Sequence, residues 1–380
     1  MTRRVVRVVL GLVVLWSSGA AAQNSIYGVR GIGFPTRALS AGSRALAGAD
    51  AYFDRLSAVN PAAAGAHGQV TAAALMTSEF RRYDALVTEV GGIRATRFPL
   101  AMVGGRLGRL PLRYMVSFAE YAERSFDVTQ SGTVVLRGQD VAVDDRIVSD
   151  GGIADLRGAL AWTPGSAVRI GGAVHVISGS TKLRVRRDFS DSTFRSYQQV
   201  NDLGFSGFGF SVGATVEPAP GLIVAALARV DSKLDATIDS IPAGTVDLPV
   251  TLGGGVQVTP IPAFRAAFSA EWRSWTDAQP DLDAATAAFD TWNLAGGVEI
   301  GGARSGASRM PLRLGARYAT LPFAPAGREQ PHELVLTAGT GLPFANNRAI
   351  IDATLERIMR DGAGVSERAW MLTVGVSLRP

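Results

Sequence analysis

Apolar and polar side chains alternate with a period of two through most of this chain, and within each run the charges fall on one parity. Across residues 263–275, Phe264, Ala266, Phe268, Ala270 and Trp272 take one side, while Arg265, Glu271 and Arg273 share the other. Leu312, Leu314, Ala316 and Tyr318 alternate with Arg313, Gly315 and Arg317, and Phe208, Phe210, Val212 and Ala214 alternate with Gly207, Gly209, Ser211 and Gly213. The same split sets Val168, Ile170, Val174 and Val176 against Arg169 and His175. It also sets Trp292 and Leu294 against Asn293, and Trp370, Leu372 and Val374 against Thr373 and Gly375. Successive side chains of a strand point to opposite faces, so each run is a strand with one uncharged face. A charge at mid-bilayer on a lipid-facing strand costs about 2–4 kcal/mol, which gives the segregation a physical cause. A soluble β-sandwich also alternates. Here, however, the strands are numerous and alike, and their second face is small and polar, as a wet lumen would be. The pattern predicts an all-β fold, a transmembrane antiparallel β-barrel.

Connections fall into two alternating classes. Short ones at 108–111, 163–166, 217–221, 259–262, 301–310 and 343–347 are mostly marked by Pro, Gly or Asn. Long ones are expected at 123–151, 180–204, 231–246, 276–290, 320–331 and 360–368. Barrels of this type have short periplasmic turns and longer outer loops. Twelve strands follow from Leu112, and two more, near 98–107 and 69–78, make fourteen. Residues 83–93 are assigned to an outer loop or hairpin, because another strand would give an odd total and place the termini on opposite sides.

The first residues change the charge picture. Arg3, Arg4 and Arg7 precede a short apolar core over residues 8–16 and a small-residue site ending at Ala22, the layout of a secretory signal. The expected organisation is a signal peptide over 1–22, an N-terminal plug over 23–66 and a barrel over 67–380. Removing three arginines and no acid lowers the formal net charge from +5 to about +2, so charge makes no case for nucleic acid. Only 19% of residues are charged, against 47% apolar, and no apolar run after the signal approaches the ~20 residues of a spanning helix. The sequence has no cysteine, which excludes disulfides, thiolate metal sites and cysteine nucleophiles.

Little else reads as chemistry. His67, His175 and His332 are far apart in sequence and without a local Ser or Asp constellation, so the chain reads as a non-enzyme; His175, on the predicted lumen face, is read as a luminal polar side chain in preference to half of a lipase-like nucleophile pair. Asp140, Asp144, Asp145 and Asp150 lack calcium-loop spacing and read as a solvated acidic loop, so no metal or cofactor is expected. The glycines at 207, 209 and 213 sit within a strand rather than opening a helix, which argues against a phosphate cradle. Arg113, Arg157, Arg169, Arg229, Arg265, Arg273, Arg313 and Arg317 share the predicted lumen face with fewer acids, Asp155, Glu271 and Glu299 among them. Such guanidinium groups can grip a ligand carboxylate or lace strands and plug together through ion pairs, and the second use is the more ordinary.

Residues 23–65 do not alternate. Ser43-Arg44-Ala45-Leu46-Ala47-Gly48-Ala49-Asp50-Ala51, then Asp54, then Asn60-Pro61-Ala62 resemble the N-terminal hatch of FadL/TodX-type outer-membrane transporters, a pattern shared by their PorV-like branch. Residues 311–318, 337–344 and 272–275 resemble that family's closing strands and the approach to an outer loop. The chain departs from the family by running past Leu378 to Arg379-Pro380 instead of ending on an aromatic residue. The resemblance implies a fourteen-stranded barrel in the bacterial outer membrane, with Arg44, Gly48, Asn60, Pro61 and Ala62 in the hatch. It further implies passive uptake of hydrophobic compounds such as long-chain fatty acids, and ligand leaving sideways through a gap beside a kinked strand. The PorV-like alternative is a non-transporting partner of a protein secretion or assembly system. A plain diffusion porin would instead have an open lumen. Candidate contacts for a ligand head group are Arg113, Arg157, Arg169, Arg265, Arg313 and Arg317, and outer-membrane lipid surrounds the whole.

Overall fold

The computed structural model describes residues 25–85, 88–283, 286–301, 310–325, 327–346 and 348–379, and the side chains at 83–94 stand outside that description. The expected signal over 1–22 and the start at Gln23 lie outside the described residues. Fourteen antiparallel strands form the wall. They are β1 (Thr71–Ala85), β2 (Thr88–Arg106), β3 (Leu112–Glu123), β4 (Gln139–Trp162), β5 (Val168–Phe189), β6 (Tyr197–Ala219) and β7 (Leu222–Asp231). The second half comprises β8 (Thr251–Ile261), β9 (Phe264–Arg273), β10 (Thr291–Ile300), β11 (Leu312–Thr320), β12 (His332–Phe344), β13 (Ala349–Gly362) and β14 (Val365–Leu378). Each pairs with its neighbour, and β14 pairs with β1 from Val365↔Ala85 to Leu378↔Ala72, which closes the cylinder. Closure leaves no open sheet edge in the hydrocarbon, where an unpaired amide has no partner.

Parity sets the two faces as expected. On β9 Phe268 is 53% exposed, while Ala267, Ser269 and Glu271 are buried. Trp162, Phe208, Phe210, Trp292, Leu314, Leu355, Trp370 and Leu372 are likewise exposed and form an apolar outer band. The exposed greasy belt and the closed cylinder together are those of an outer-membrane barrel.

The outer connections differ from the sequence reading. Residues 139–150, 180–189 and 197–203 are strand, not loop: β5 and β6 stay paired from Thr181↔Leu203 to Arg187↔Tyr197, and the hairpin strand Phe126–Leu136 pairs with the outer half of β4. At ~3.3 Å per residue the 24 residues of β4 far exceed a membrane crossing. Beyond the bilayer both faces meet water, so the apolar period fades although the ladder continues. The acids assigned to a loop are thereby ordered, with Asp145 paired to Arg187 at 2.6 Å and Asp144 accepting from Ser131 at 2.6 Å. Residues 231–246 hold a further hairpin, Leu234–Ile238 with Ile241–Val246. Within 83–93, residues 83–85 and 88–93 are the outer ends of β1 and β2, paired at Tyr83↔Val90, so no odd strand arises among the described residues. The expected connection at 360–368 shrinks to a turn at Ala363-Gly364, both with positive φ as a two-residue hairpin turn requires.

Candidate functional site

The lumen is filled by the segment from Ser25 to His67, built from one-turn pieces tied by short polar side chains. Ser40 caps the helix Ala41–Ala45 by accepting from the Ser43 amide at 3.1 Å. Asp54 gathers the hydroxyls of Ser40 and Ser57 at 2.6 and 2.7 Å and the Leu56 amide at 3.0 Å. Asn60 opens the 3-10 helix Pro61–Ala66: its Oδ1 accepts from the Ala62 amide at 3.0 Å and its Nδ2 donates to the Tyr52 carbonyl at 3.0 Å. Pro61 occupies the first position, where a missing N–H costs nothing. Gly48 takes φ +83°, ending the turn after Arg44. Of the residues the resemblance singled out, Arg44 lies within the short helix, Gly48 follows it, Asn60 caps the 3-10 helix, and Pro61 and Ala62 begin it.

The plug rests on the small residues of the wall. A Cβ at Gly171 would meet the Pro61–Ala62 backbone at 2.5 Å, and one at Gly315 would meet Leu46 at 2.4 Å. The small inner face taken for a wet lumen is therefore a seat for backbone. Thr337 and Thr354 hydroxyls donate to the Ala45 and Ala41 carbonyls at 2.8 and 2.7 Å, and Tyr52 donates to Glu271 at 2.9 Å. Arg44 pairs with Glu356 at 3.3 Å.

The six head-group arginines do not converge on one place, although Arg265 and Arg313 meet at Glu299. Arg265 pairs with Glu299 and Asp50 at 3.1 and 3.3 Å. Arg313 pairs with Glu299 and Asp352 at 2.7 and 2.6 Å, and Arg317 with Glu333 at 2.5 Å. Arg113 donates to the His67 carbonyl at 2.8 Å, and the Arg169 stem lies against Gly65, both where the plug leaves for β1. Arg157 is 1% exposed, and its three guanidinium nitrogens have no hydrogen-bond partner among the described residues. Sequence reasoning missed most of the opposing acids: Glu79, Glu123, Glu333, Glu356 and Glu367 are all buried on the inner face. Their parity with Arg81 and Arg360 along β1, β13 and β14 carries that signal.

His175 also differs from the sequence reading. Its Nδ1 lies 2.8 Å from Asp155 and its Nε2 2.9 Å from the Ser211 hydroxyl, across β4, β5 and β6. Three residues far apart in sequence meet because ladder register stacks neighbouring strands. Ser211 is buried, and Arg229 also holds Asp155 at 2.8 Å, so the group ties three strands beneath the plug. His332 stacks on Tyr318 at 6.0 Å. Among the described residues no cluster of His, Asp and Glu could hold a metal ion.

Two features lie toward the outer side. Ile32 of the plug packs with Ile153, Ile177, Phe205, Leu234, Leu248, Trp275 and Phe323 into an apolar cluster made by the wall and the outer connections. Trp275 and Phe323 meet edge to face at 5.3 Å. Beside this cluster the wall parts. β2 pairs with β3 only from Leu100↔Ala119 to Arg106↔Arg113, while β3 continues to Glu123. Pro99, which has no N–H to give, stands where the ladder stops. Above it the free edge of β3 takes the plug as its partner: Phe34↔Glu123 and Pro35↔Ala122 are paired, and the Thr36 amide donates to the Tyr121 carbonyl at 3.0 Å. Arg97 of β2 reaches across to Glu120 at 3.2 Å and to Glu123. The opening holds a cavity of about 390 Å³ lined by Phe98, Phe118, Ile153 and Ala154, with Arg97, Glu120 and Glu123 at its rim.

No protein-family model matches the sequence. No curated protein matches it either. Solved structures do. A Pseudomonas aeruginosa FadL homologue superposes with a TM-score of 0.64 at 13% identity, over 91% of this chain and 99% of that one. The CymD monoaromatic hydrocarbon channel gives 0.58 at 15% identity, over 90% and 97%. The Ralstonia pickettii toluene transporter TbuX gives 0.57 at 14% identity, over 90% and 98%. With its closed fourteen-stranded wall and N-terminal plug, this chain has the fold of the FadL/TodX-type outer-membrane transporters.

Proposed function

We propose that the protein carries hydrophobic compounds passively across the outer membrane, from the apolar cluster at the outer mouth to the break between β2 and β3. The break carries the reading. A barrel that only scaffolds gains nothing from interrupting its own ladder, whereas Ile153 belongs both to the outer cluster and to the cavity in the opening. An apolar molecule following that path has Ile153, Phe118 and Phe98 beside it and passes the rim formed by Arg97, Glu120 and Glu123. A filled lumen argues against a plain diffusion porin.

The cargo that fits best is an uncharged hydrophobic compound rather than a fatty acid. Arg265, Arg313 and Arg317 already hold carboxylates, and a fatty-acid head group bound at any of these three would have to displace them. Removing one partner of a buried pair costs roughly 3–5 kcal/mol. Uptake of labelled toluene and labelled oleate into proteoliposomes separates the classes. Toluene flux above empty vesicles, with oleate flux at background, is expected. Background flux of both by assembled protein would contradict transport. In that event, recovery of secretion proteins on the polar outer extension of β4–β6 would support the secretion-partner reading.

A further inference from the structure

The lipid-facing side of the barrel is uncharged almost everywhere, with one departure at the outer rim of β13, β14 and β1. Arg357, Arg368 and Arg82 stand on the outward parity of these strands. Arg368 is the direct register partner of Arg82, and Arg357 of Trp370. Leu372, Val376 and Leu378 continue inward along β14 from Trp370 and are exposed, as is Leu355 on β13, so the three cations sit at the upper margin of the apolar band. Strand spacings of ~4.8 Å and a rise of ~3.3 Å per residue place all three within roughly 12 Å. The Arg357 guanidinium lies over the Trp370 ring, 5.1 Å from its centre. Arg368 reaches Asp361 at 2.9 Å, the one carboxylate paired with any of the three among the described side chains. Met359, Leu334 and Leu336 complete the outward face on β12 and β13.

Such an arrangement is costly without an anion. Like charges directly opposite each other on a ladder repel, and arginine on a lipid face loses hydration. Both costs fall if a phosphate lies between the guanidinium groups, whose planar forks bind phosphate in pairs of hydrogen bonds. We infer that Arg82, Arg357 and Arg368, with Trp370 as an interfacial platform, form a binding site for the phosphate-bearing head group of an outer-leaflet lipid. The site lies outside the lumen and does not depend on what the barrel carries.

The test uses the full-length barrel in nanodiscs of phosphatidylcholine, alone or supplemented with bis-phosphorylated lipid A or with the same glycolipid dephosphorylated. Bound lipid is counted by native mass spectrometry and the unfolding midpoint by heat. Wild-type protein is expected to retain the phosphorylated lipid and to unfold at a higher temperature with it. The R82Q/R357Q/R368Q variant should retain it roughly tenfold less, as expected when charge-assisted pairs are removed, and should lose the shift. Its midpoint in pure phosphatidylcholine reports folding, and R82K/R357K/R368K should recover part of the retention. Equal retention by the glutamine variant, or equal stabilisation by the dephosphorylated lipid, would overturn the site.

Discussion

His67 shows how a single side chain couples the plug to its surroundings. The residue lies where the plug turns into β1, its carbonyl accepts from Arg113, and its ring nitrogens have no hydrogen-bond partner among the described residues. Burial, helped by Arg55, pushes the imidazole down to about 4, so the fold holds the neutral ring. A depressed histidine contributes stability above its ordinary value near 6.5 and loses it as the pH falls from there toward 4. Between pH 7 and pH 5 the loss is roughly 2 kcal/mol. Amides of residues 60–69 should therefore show lower protection factors (exchange corrected for its intrinsic pH dependence) at pH 5 than at pH 7 in the wild type, and a far smaller drop in His67→Phe. Identical pH dependence in both proteins would assign the effect elsewhere. This residue was legible only as a lone histidine, since its burial depends on Gly104 and Arg113 from other strands.

At the scale of elements, the apolar and polar alternation located most strands because lipid acts on each strand separately. Phe264–Arg273 and Leu312–Thr320 were readable without their neighbours. The outer halves of β4, β5 and β6 were not, because water on both faces removes the period while the ladder persists. The β2–β3 break was equally hidden: Pro99 marks it, but the partner of the free edge, Phe34–Pro35, lies more than eighty residues away in sequence. Arg97 bridges β2 to β3 through Glu120 and Glu123, and is itself held to β1 by Glu79. Arg97→Gln leaves Glu120 and Glu123 without their cation, while Glu79 keeps Arg81, a loss of roughly 3 kcal/mol at a largely buried site. The edge pairing at Phe34–Thr36 should loosen, with faster exchange there and several-fold faster passage of an apolar probe. Unchanged exchange and flux would show that the arginine only decorates the rim.

For the whole molecule, closure, strand number and the plug followed from parity, turn spacing and the hatch-like residues from Arg44 to Ala62. The six head-group arginines did not come together as one site, because register distributes them around the cylinder: Arg265, Arg313 and Arg317 face carboxylates of the wall and plug, while Arg113, Arg157 and Arg169 stand elsewhere without one among the described residues. What the assembled molecule adds is a wall whose one described ladder break is closed by its own N-terminal segment, so movement of the plug and opening of the side become one event. The sequence contains no cysteine, so a single introduced pair tests this cleanly. Pro35→Cys with Ala122→Cys joins direct register partners, whose ~4.5–5.5 Å Cα separation suits a disulfide. The account predicts that the oxidised, fully assembled double variant stops toluene uptake and that a reductant restores it. Undiminished uptake with the bond formed would contradict passage through the side of the barrel.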